Sequence, residues 1–449
     1  MQLKAAALPE ALPPPKALPP PKASNARRRL MAASCALLSA GAARSQQADG
    51  APPDSGLLED WSVDSALAYY HEDGRIQAIE PVVDVSKVFA DGQALNFNVT
   101  FDALSGASPN GALTSHSPQT FASPSGKASQ AYTTAPGQLP VDANYHDDRI
   151  AVGANWTVPF SRTDQLSLGG KLSDEHDFFS ATLNASIAHD FNDKNTTLSF
   201  GLDNEYDSLH PIGGAPVPGS IYGEFEKTTS GETKDGVGAL LGVTQVMTRN
   251  WLSEFNLSVD RFHGYLNDPY KITSVINSAG NTAWYEYESR PQQRARKSAY
   301  WENRVAWNAQ VSTAVSLRYM SDDWGVRSDT AQLHLRWQLS NRERYIEPTI
   351  RWYRQTAADF YTPFILDTAK PTAYESSDSR LGPFHALTYG VKYAQKLPGL
   401  GSRAESEFSV RAEYYQQTFD ERMAAPAGLQ GLDLYPGLKA FLVQIGWRF

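Results

Sequence analysis

The chain has 449 residues, of which 20% are charged and 41% hydrophobic, and its net charge at neutral pH is −9. This balance excludes a chain that is disordered along its whole length. The negative charge also argues against nucleic acid as a partner, because phosphate binding depends on Lys and Arg. The longest nearly uncharged apolar run, residues 30–43, is shorter than the roughly 20 residues that a membrane-spanning helix needs.

The amino-terminal segment has the composition of an exported leader. Residues 11–16 and 17–22 repeat a Pro-rich hexamer, which favours an extended polyproline form with no core to bury. Three arginines at 27–29 precede the apolar run 30–43, and small residues follow it. A basic, then apolar, then small-residue order is typical of a secretory signal peptide.

Cleavage near residue 45 would remove the single cysteine, Cys35, so that no disulfide, thiolate metal site or covalently attached haem could form. We therefore predict three parts. These are a Pro-rich leader with a signal peptide (1–45), a short linker (46–60) and one folded domain (61–449).

From residue 61 onward, stretches of about ten residues alternate between apolar and polar side chains. In one of them Leu95, Phe97, Val99 and Phe101 share a face, which is the period of a strand with two different sides. We predict about 16 such strands, with a range from about 12 to 18. Their predicted starts are near residues 62, 76, 94, 149, 165, 179, 196, 236, 251, 297, 311, 329, 344, 384, 405 and 438.

The connections between the predicted strands fall into two alternating classes. Short polar turns follow the even-numbered strands, whereas long segments such as 104–148, 207–235 and 263–296 follow odd-numbered ones. Short turns on one side, long loops on the other and an even strand number are typical of an outer-membrane barrel. A soluble β-sandwich or a propeller would also alternate, but neither has a reason to place its long loops at one end.

We therefore predict an all-β, transmembrane, antiparallel up-and-down β-barrel in the bacterial outer membrane. Both barrel termini would be periplasmic, and outer-membrane lipid would surround the wall. The last strand places Phe441, Val443, Ile445, Trp447 and Phe449 on one face. A chain that ends in this way can be read by strand addition, so we predict that Trp447 and Phe449 form a signal for the barrel-assembly machinery.

The polar register of the strands should face the lumen, and its charges are unevenly distributed. One wall is acid-rich and the other base-rich, and the candidate residues are Asp102, Asp203, Glu205, Glu254, Asp260, Arg304, Arg318, His334, Arg336, Arg351 and Arg411. Opposed charges across a wet pore would create a transverse field that sorts solutes. The same residues could instead pair between neighbouring strands and fill the lumen. Both interpretations stay open.

Carboxylates and histidines gather where the first outer hairpins and later loops begin. The outer-mouth candidates are His71, Glu72, Glu175, His176, Asp177, Asp268, Asp322 and Asp323. Carboxylates with imidazole suit a divalent ion, but no metal-binding spacing is present and solvated acidic loop tips explain the pattern equally. We therefore expect no cofactor, with a divalent metal ion at the outer loops as the alternative.

No serine is placed for activation by His334, the one histidine positioned confidently in mid-strand on the lumen face. We accordingly expect the chain not to be an enzyme.

Several blocks resemble the hallmarks of domain of unknown function 3570, a bacterial family regarded as outer-membrane β-barrels. These blocks are residues 102–112, 173–177, 193–198, 264–271, 322–325 and 355–361. The resemblance spans about residues 61–449 and implies a barrel fold and an outer-membrane location, with no established activity. Because the blocks fall mostly at outer strand ends, they would either shape a vestibule for a ligand or serve as a scaffold for loop folding.

Taken together, these patterns favour a channel or gated transporter for a small polar solute or ion. The alternative is a non-conducting outer-membrane scaffold for a periplasmic or surface partner, for example in a redox or metallocofactor pathway.

Overall fold

The computed structural model describes residues 61–124, 131–223, 227–228, 231–339, 343–398, 405–420, 426–435 and 437–449. The predicted leader and linker, residues 1–60, lie outside this part of the chain. Among the described residues, no helix has both the length and the apolar character needed to cross a membrane.

Almost all regular structure in the described residues is β. The strands, in chain order, are β1 (Trp61–Glu72), β2 (Gln77–Val88), β3 (Ala94–Ser105), β4 (Gln119–Ala122), β5 (Ala131–Thr134), β6 (His146–Pro159), β7 (Asp164–Glu175), β8 (Phe178–Phe191), β9 (Thr196–Leu209), β10 (Ala215–Pro216), β11 (Lys227–Thr228), β12 (Glu232–Thr248), β13 (Trp251–Gly264), β14 (Ile272–Ile276), β15 (Thr282–Tyr287), β16 (Gln293–Ala306), β17 (Val311–Asp322), β18 (Arg327–Gln338), β19 (Arg344–Gln355), β20 (Ile365–Leu366), β21 (Phe384–Pro398), β22 (Glu405–Phe419) and β23 (Leu438–Arg448). Two short 3-10 helices, Ser379–Leu381 and Ala427–Leu429, lie between the last long strands.

Sixteen strands form a closed barrel, so the predicted fold class is confirmed. The order around the wall is β1, β2, β3, β6, β7, β8, β9, β12, β13, β16, β17, β18, β19, β21, β22 and β23, and β23 pairs with β1. The observed starts lie within about four residues of the predicted ones. Closure leaves no free sheet edge, which is the condition for a sheet to stand in lipid.

The outer face of the barrel is an exposed apolar band. Leu183 is 69% exposed, and Leu202 and Val259 are each 51% exposed, which a water-soluble sheet would not tolerate over a continuous surface. Trp337 and Tyr389 also point outward from this band. Aromatic side chains of this kind are typical of the borders between acyl chains and headgroups.

The long connections all leave one end of the barrel, which we call the long-loop end, and the other end is the short-turn end. Five of them are used below: loop 2 (106–145), loop 4 (210–231), loop 5 (265–292), loop 7 (356–383) and loop 8 (420–437). They carry three small sheets, formed by β4 with β5, by β10 with β11, and by β14 between β15 and β20. We call the packed parts of these five loops the cap.

Candidate functional site

The cap has its own apolar core, separate from the lipid-facing band. Leu113 of loop 2, Ile276 of loop 5, Phe364 of loop 7 and Leu429 of loop 8 pack in one cluster, and Ile276 is completely buried. All five residues of β14 are buried. Four loops are therefore joined by hydrophobic burial around a strand that has no exposed face.

One glycine lets loop 2 approach both loop 5 and loop 7 closely. Gly111 of loop 2 has a φ of 97°, and a Cβ atom there would lie 2.5 Å from the Ile272 carbonyl oxygen and 2.6 Å from Ser377 Oγ. Ser377 Oγ donates to both carbonyl oxygens, at 2.9 Å to Gly111 and 2.8 Å to Ile272. Glycine alone fits this position without strain.

A buried network of charges holds loop 5 to loop 7. Arg290 Nη2 lies 2.8 Å from Glu288 Oε2 and 2.8 Å from Asp378 Oδ2. Arg380 Nη2 lies 2.9 Å from Asp268 Oδ2, and Arg380 also contacts Asp378. We call these five residues the latch. Because buried charges are stable only when they are paired, separating loop 5 from loop 7 would be costly.

The electrostatics of the latch follow from its burial and its composition. Despite its burial, nearby Arg380, Lys271 and Arg290 hold the pKa of Asp378 well below its usual range. Burial raises the pKa of Glu288, although Arg290 opposes that shift. Burial also lowers the pKa of Lys271, whose ammonium group donates to the Pro109 carbonyl of loop 2.

Asp268, predicted at the outer mouth, is thus a structural partner of Arg380. The block 264–271, of which it is part, supports loop folding instead of lining an open vestibule. The block 322–325 behaves in the same way, because Asp322 binds Arg294 and Trp324 is buried with Val326 and Leu381.

The lumen is wet toward the short-turn end and closed toward the cap. On β16 the inward-facing side chains of Arg294, Arg296 and Arg304 are 23%, 38% and 48% exposed, whereas Glu302, which pairs with Arg304, is 14% exposed. At the cap end, lumen-facing Glu72, Asp102 and Asp207 are almost completely buried. The lumen arginines near the short-turn end are therefore more accessible than the acidic side chains beneath the cap.

Most predicted lumen charges are paired with neighbours. Arg149 Nε lies 2.6 Å from Asp102 Oδ2, and Lys234 Nζ lies 3.6 Å from Glu205 Oε1. The remaining pairs join Asp260 to Arg296, Arg304 to Glu302, His334 and Arg336 to Glu347, and Arg411 to Glu413. Pairing between or along strands is therefore the commoner arrangement.

Four of the predicted lumen charges differ. Asp203, Glu254, Arg318 and Arg351 make no ion pair with any residue that the structure describes. Glu254 Oε1 instead accepts from the Asn256 amide at 2.8 Å, and Arg318 Nε donates to Ser298 Oγ at 3.2 Å.

The predicted outer-mouth residues are only partly brought together. Carboxylate oxygens of Asp147, Glu175 and Asp177 lie within 4.8 Å of one another. Tyrosine hydroxyls from loops 2 and 5 donate to this group, Tyr145 to Asp147 and Tyr270 to Asp177. Three carboxylates at this spacing have the donor chemistry of a calcium site, and a metal ion here stays a prediction.

The other mouth candidates lie elsewhere. His71 faces outward, with its ring centroid 5.2 Å from that of Phe441, whereas Glu72 accepts from Tyr70 on the lumen side. His176 is exposed in the β7–β8 turn, and Asp323 accepts from the Ala295 amide at 2.9 Å.

Several functional residues were not predicted from the sequence. They are Arg149, Lys234, Glu288, Arg290, Arg294, Arg296, Asp378 and Arg380. Arg294 and Arg296 continue the lumen register of β16 beyond its predicted start at residue 297, and extending that strand outward by up to four residues would have found them. Arg149 lies at the predicted start of β6. Glu288, Arg290, Asp378 and Arg380 come together only through loop packing, and no periodic signal marks them.

Comparisons with solved structures find outer-membrane proteins at low sequence identity. A bacterial polysaccharide outer membrane secretin is 9% identical, with 88% of this chain and 100% of that chain covered and a TM-score of 0.42. The outer membrane protein OpdK from Pseudomonas aeruginosa is 9% identical, with 88% and 100% covered and a TM-score of 0.38. The ferric enterobactin receptor PfeA is 8% identical, with 79% and 54% covered and a TM-score of 0.39.

A comparison with curated proteins found no match. The sequence profile described as "Protein of unknown function (DUF3570)" matches residues 27–449. This match covers the whole barrel and the cap. The chain therefore belongs to the DUF3570 family.

Proposed function

We propose that the protein is an outer-membrane channel or gated transporter for a small polar solute, with the cap as its gate. The observation that carries the proposal is the accessibility of lumen arginines toward the short-turn end, 48% at Arg304 and 47% at Arg336, against the nearly complete burial of Glu72, Asp102 and Asp207 beneath the cap. A barrel that served only as a wall would have no need for a water-filled interior. In this proposal the barrel termini are periplasmic and the long loops face outward.

The cap has the properties that a gate requires. It closes one end of a wet lumen, and it is held by a few discrete contacts in addition to apolar burial. Loops 5 and 7 meet through the latch, in which Arg290 bridges Glu288 and Asp378. Weakening a small number of buried ion pairs would therefore shift the balance between closed and open caps.

Single-channel recording in a planar bilayer tests the proposal. We expect wild-type protein to be mostly closed, because the cap fills the mouth. The latch variant Arg290→Gln with Arg380→Gln should raise the open probability by about tenfold or more, since loss of roughly 1.4 kcal/mol of closed-state stability corresponds to that factor.

The matched control is Arg261→Gln with Arg327→Gln. Both arginines are exposed on the outer face, so the net charge changes equally while the latch is intact, and open probability should be unchanged. Silence in both the wild type and a correctly folded latch variant would contradict a channel.

Such silence would favour the second candidate, a non-conducting scaffold for a periplasmic or surface partner. The observation in its favour is the completeness of the cap core, in which Ile276, Thr273, Ser274 and Ser376 have no exposed surface. The lack of enzymatic activity, the absence of a cofactor and the recognition by assembly machinery stay predictions.

A further inference from the structure

Two lumen arginines of the base-rich wall differ from the rest in having no carboxylate partner. Arg318 lies between outward-facing Leu317 and Tyr319, and Arg351 lies between outward-facing Ile350 and Trp352. Both guanidinium groups therefore face the lumen. Neither makes an ion pair within the described part of the chain.

The neighbours of both residues across the sheet are uncharged. Arg318 is paired with Tyr300 and Thr330. Arg351 is paired with Gln332 and Thr388. No carboxylate therefore lies directly opposite either arginine. Glu302 is the diagonal neighbour of Arg318 on β16, and it pairs with Arg304 instead.

The other arginines of this wall behave differently. Each has a carboxylate within salt-bridge distance: Arg294 with Asp322, Arg296 with Asp260, Arg304 with Glu302, Arg336 with Glu347, Arg411 with Glu413 and Arg448 with Asp64. Six guanidinium groups of this wall thus have a carboxylate at salt-bridge distance, whereas those of Arg318 and Arg351 do not.

The two groups also act on each other. They lie on β17 and β19, with only β18 between them, and their partners on β18, Thr330 and Gln332, are two residues apart. Their backbones are therefore roughly 12 Å apart. Arg318 is within electrostatic range of Arg351, of Arg296 and of Asp260, the carboxylate that pairs with Arg296. The ring of Tyr353 lies 5.9 Å from the Arg351 guanidinium carbon. Like charges at this spacing repel, and because Asp260 is shared with Arg296 and offsets this repulsion only in part, a bound anion would relieve the remainder.

We propose that Arg318 and Arg351 form an anion-binding site in the lumen, and that the solute of the proposed channel is a small carboxylate or phosphate anion. Planar guanidinium groups bind such anions through paired hydrogen bonds, and one small anion can bridge two groups on alternate strands. The site deepens the proposed function and rests on it for the statement about transport.

Access to the site does not require the cap to open. The lumen is wet toward the short-turn end, where Arg304 and Arg336 have exposed fractions of 48% and 47%. Arg318 and Arg351 are themselves partly exposed, so we expect a small solute to reach them from that end while the latch is closed. Binding and conduction can consequently be measured separately.

The test is isothermal titration of the purified full-length protein in detergent with succinate and with inorganic phosphate. Choline serves as the cationic probe. We expect both anions to bind wild-type protein, with an affinity that falls as salt rises. Arg318→Gln with Arg351→Gln should weaken binding by about tenfold or more, because charge-assisted hydrogen bonds are lost.

The control Arg261→Gln with Arg327→Gln makes the same charge change on the outer face and should bind as wild type does. Arg318→Lys with Arg351→Lys should give intermediate affinity. The inference is overturned if the Gln double variant, folded by circular dichroism, binds both anions as tightly as wild type, if wild type binds neither anion, or if choline binds equally well.

Failure of the site and failure of the channel give different results. Arginine-dependent anion binding by a protein that never conducts would contradict the channel and keep the site. Conduction with anion binding unchanged in the Gln variant would contradict the site and keep the channel.

Discussion

Two carboxyl groups meet where loop 5 touches loop 7. Glu286 of β15 accepts from Trp284 Nε1 at 2.6 Å, and Glu375 of loop 7 accepts from Thr372 Oγ1 at 3.1 Å. The backbones of Glu375 and Ser289 exchange two hydrogen bonds of 2.8 Å. Burial and the adjacent Glu286 raise the pKa of Glu375 to about 7.

This shift predicts a pH dependence of the contact between the loops. A carboxyl whose pKa is raised in the folded state stabilises it fully below its ordinary value, here 4.5, and the contribution is lost as pH rises through about 7. We therefore expect amide hydrogen exchange around residue 375, corrected for intrinsic rates, to show less protection at pH 8 than at pH 5.

The variant Glu375→Gln serves as the control for this prediction. It keeps a hydrogen-bonding group without the ionisation, so protection should vary less between pH 5 and pH 8. Because burial also raises the pKa of Glu288, a residual slope of the same sign is expected. An unchanged slope in the variant would show that Glu375 is not the titrating group.

At the scale of single elements, the barrel strands were largely predictable and the cap was not. Alternation predicted the strands because lipid on one side and water on the other impose a period of two. The predicted starts of β6, β12 and β16 were three or four residues late. There the strands rise above the apolar band, so charged residues such as Lys234 and Arg294 can occupy them without contacting acyl chains.

The central strand of the cap shows why loop structure escaped prediction. β14 is buried on both faces, so its sequence has no alternation that separates it from a short apolar loop. Its parallel partner is β20 of loop 7, in which Ile365 pairs with Val275. The two strands are far apart in the sequence. Such pairing depends on the finished barrel, which brings the loops to one mouth.

The contact between loops 5 and 7 predicts that a disulfide can lock the cap. Thr273 Oγ1 and Ser377 Oγ lie 3.3 Å apart, which suits a bridge between the corresponding cysteines. We expect Thr273→Cys with Ser377→Cys to lower the open probability in planar bilayers until a reductant restores it. Each single cysteine variant is the control, and equal conductance before and after reduction would argue against loop separation as the gating step.

At the scale of the whole molecule, closure of the barrel depends on the pairing of β1 with β23, which we call the seam. Phe449 takes part in it, because Val63 N donates to Phe449 O at 2.8 Å and Phe449 N donates to Val63 O at 3.0 Å. Arg448 Nε lies 2.6 Å from Asp64 Oδ1 beside this pair. Phe449 therefore combines a structural role with its predicted role in assembly.

Deleting Phe449 should weaken the seam by about 1–3 kcal/mol, the net value of two hydrogen bonds, and should lower the fraction of protein inserted in the outer membrane. Phe449→Leu keeps both backbone bonds and changes only the side chain. Reduced insertion of this variant, with Phe441→Leu unaffected, would support a recognition signal. Normal insertion of Phe449→Leu would assign the effect of the deletion to the seam alone.

Because the cap has a separate apolar core, two different solvents stabilise the fold: water stabilises the cap and lipid stabilises the barrel wall. Water drives the packing of Ile272 and Ile276 with their neighbours, whereas acyl chains stabilise the band that contains Val259 and Leu202. Urea acts on the first and reaches the second only after detergent or lipid is displaced. We therefore expect the cap and the barrel wall to unfold under different conditions, so that a single free energy of unfolding would describe neither of them.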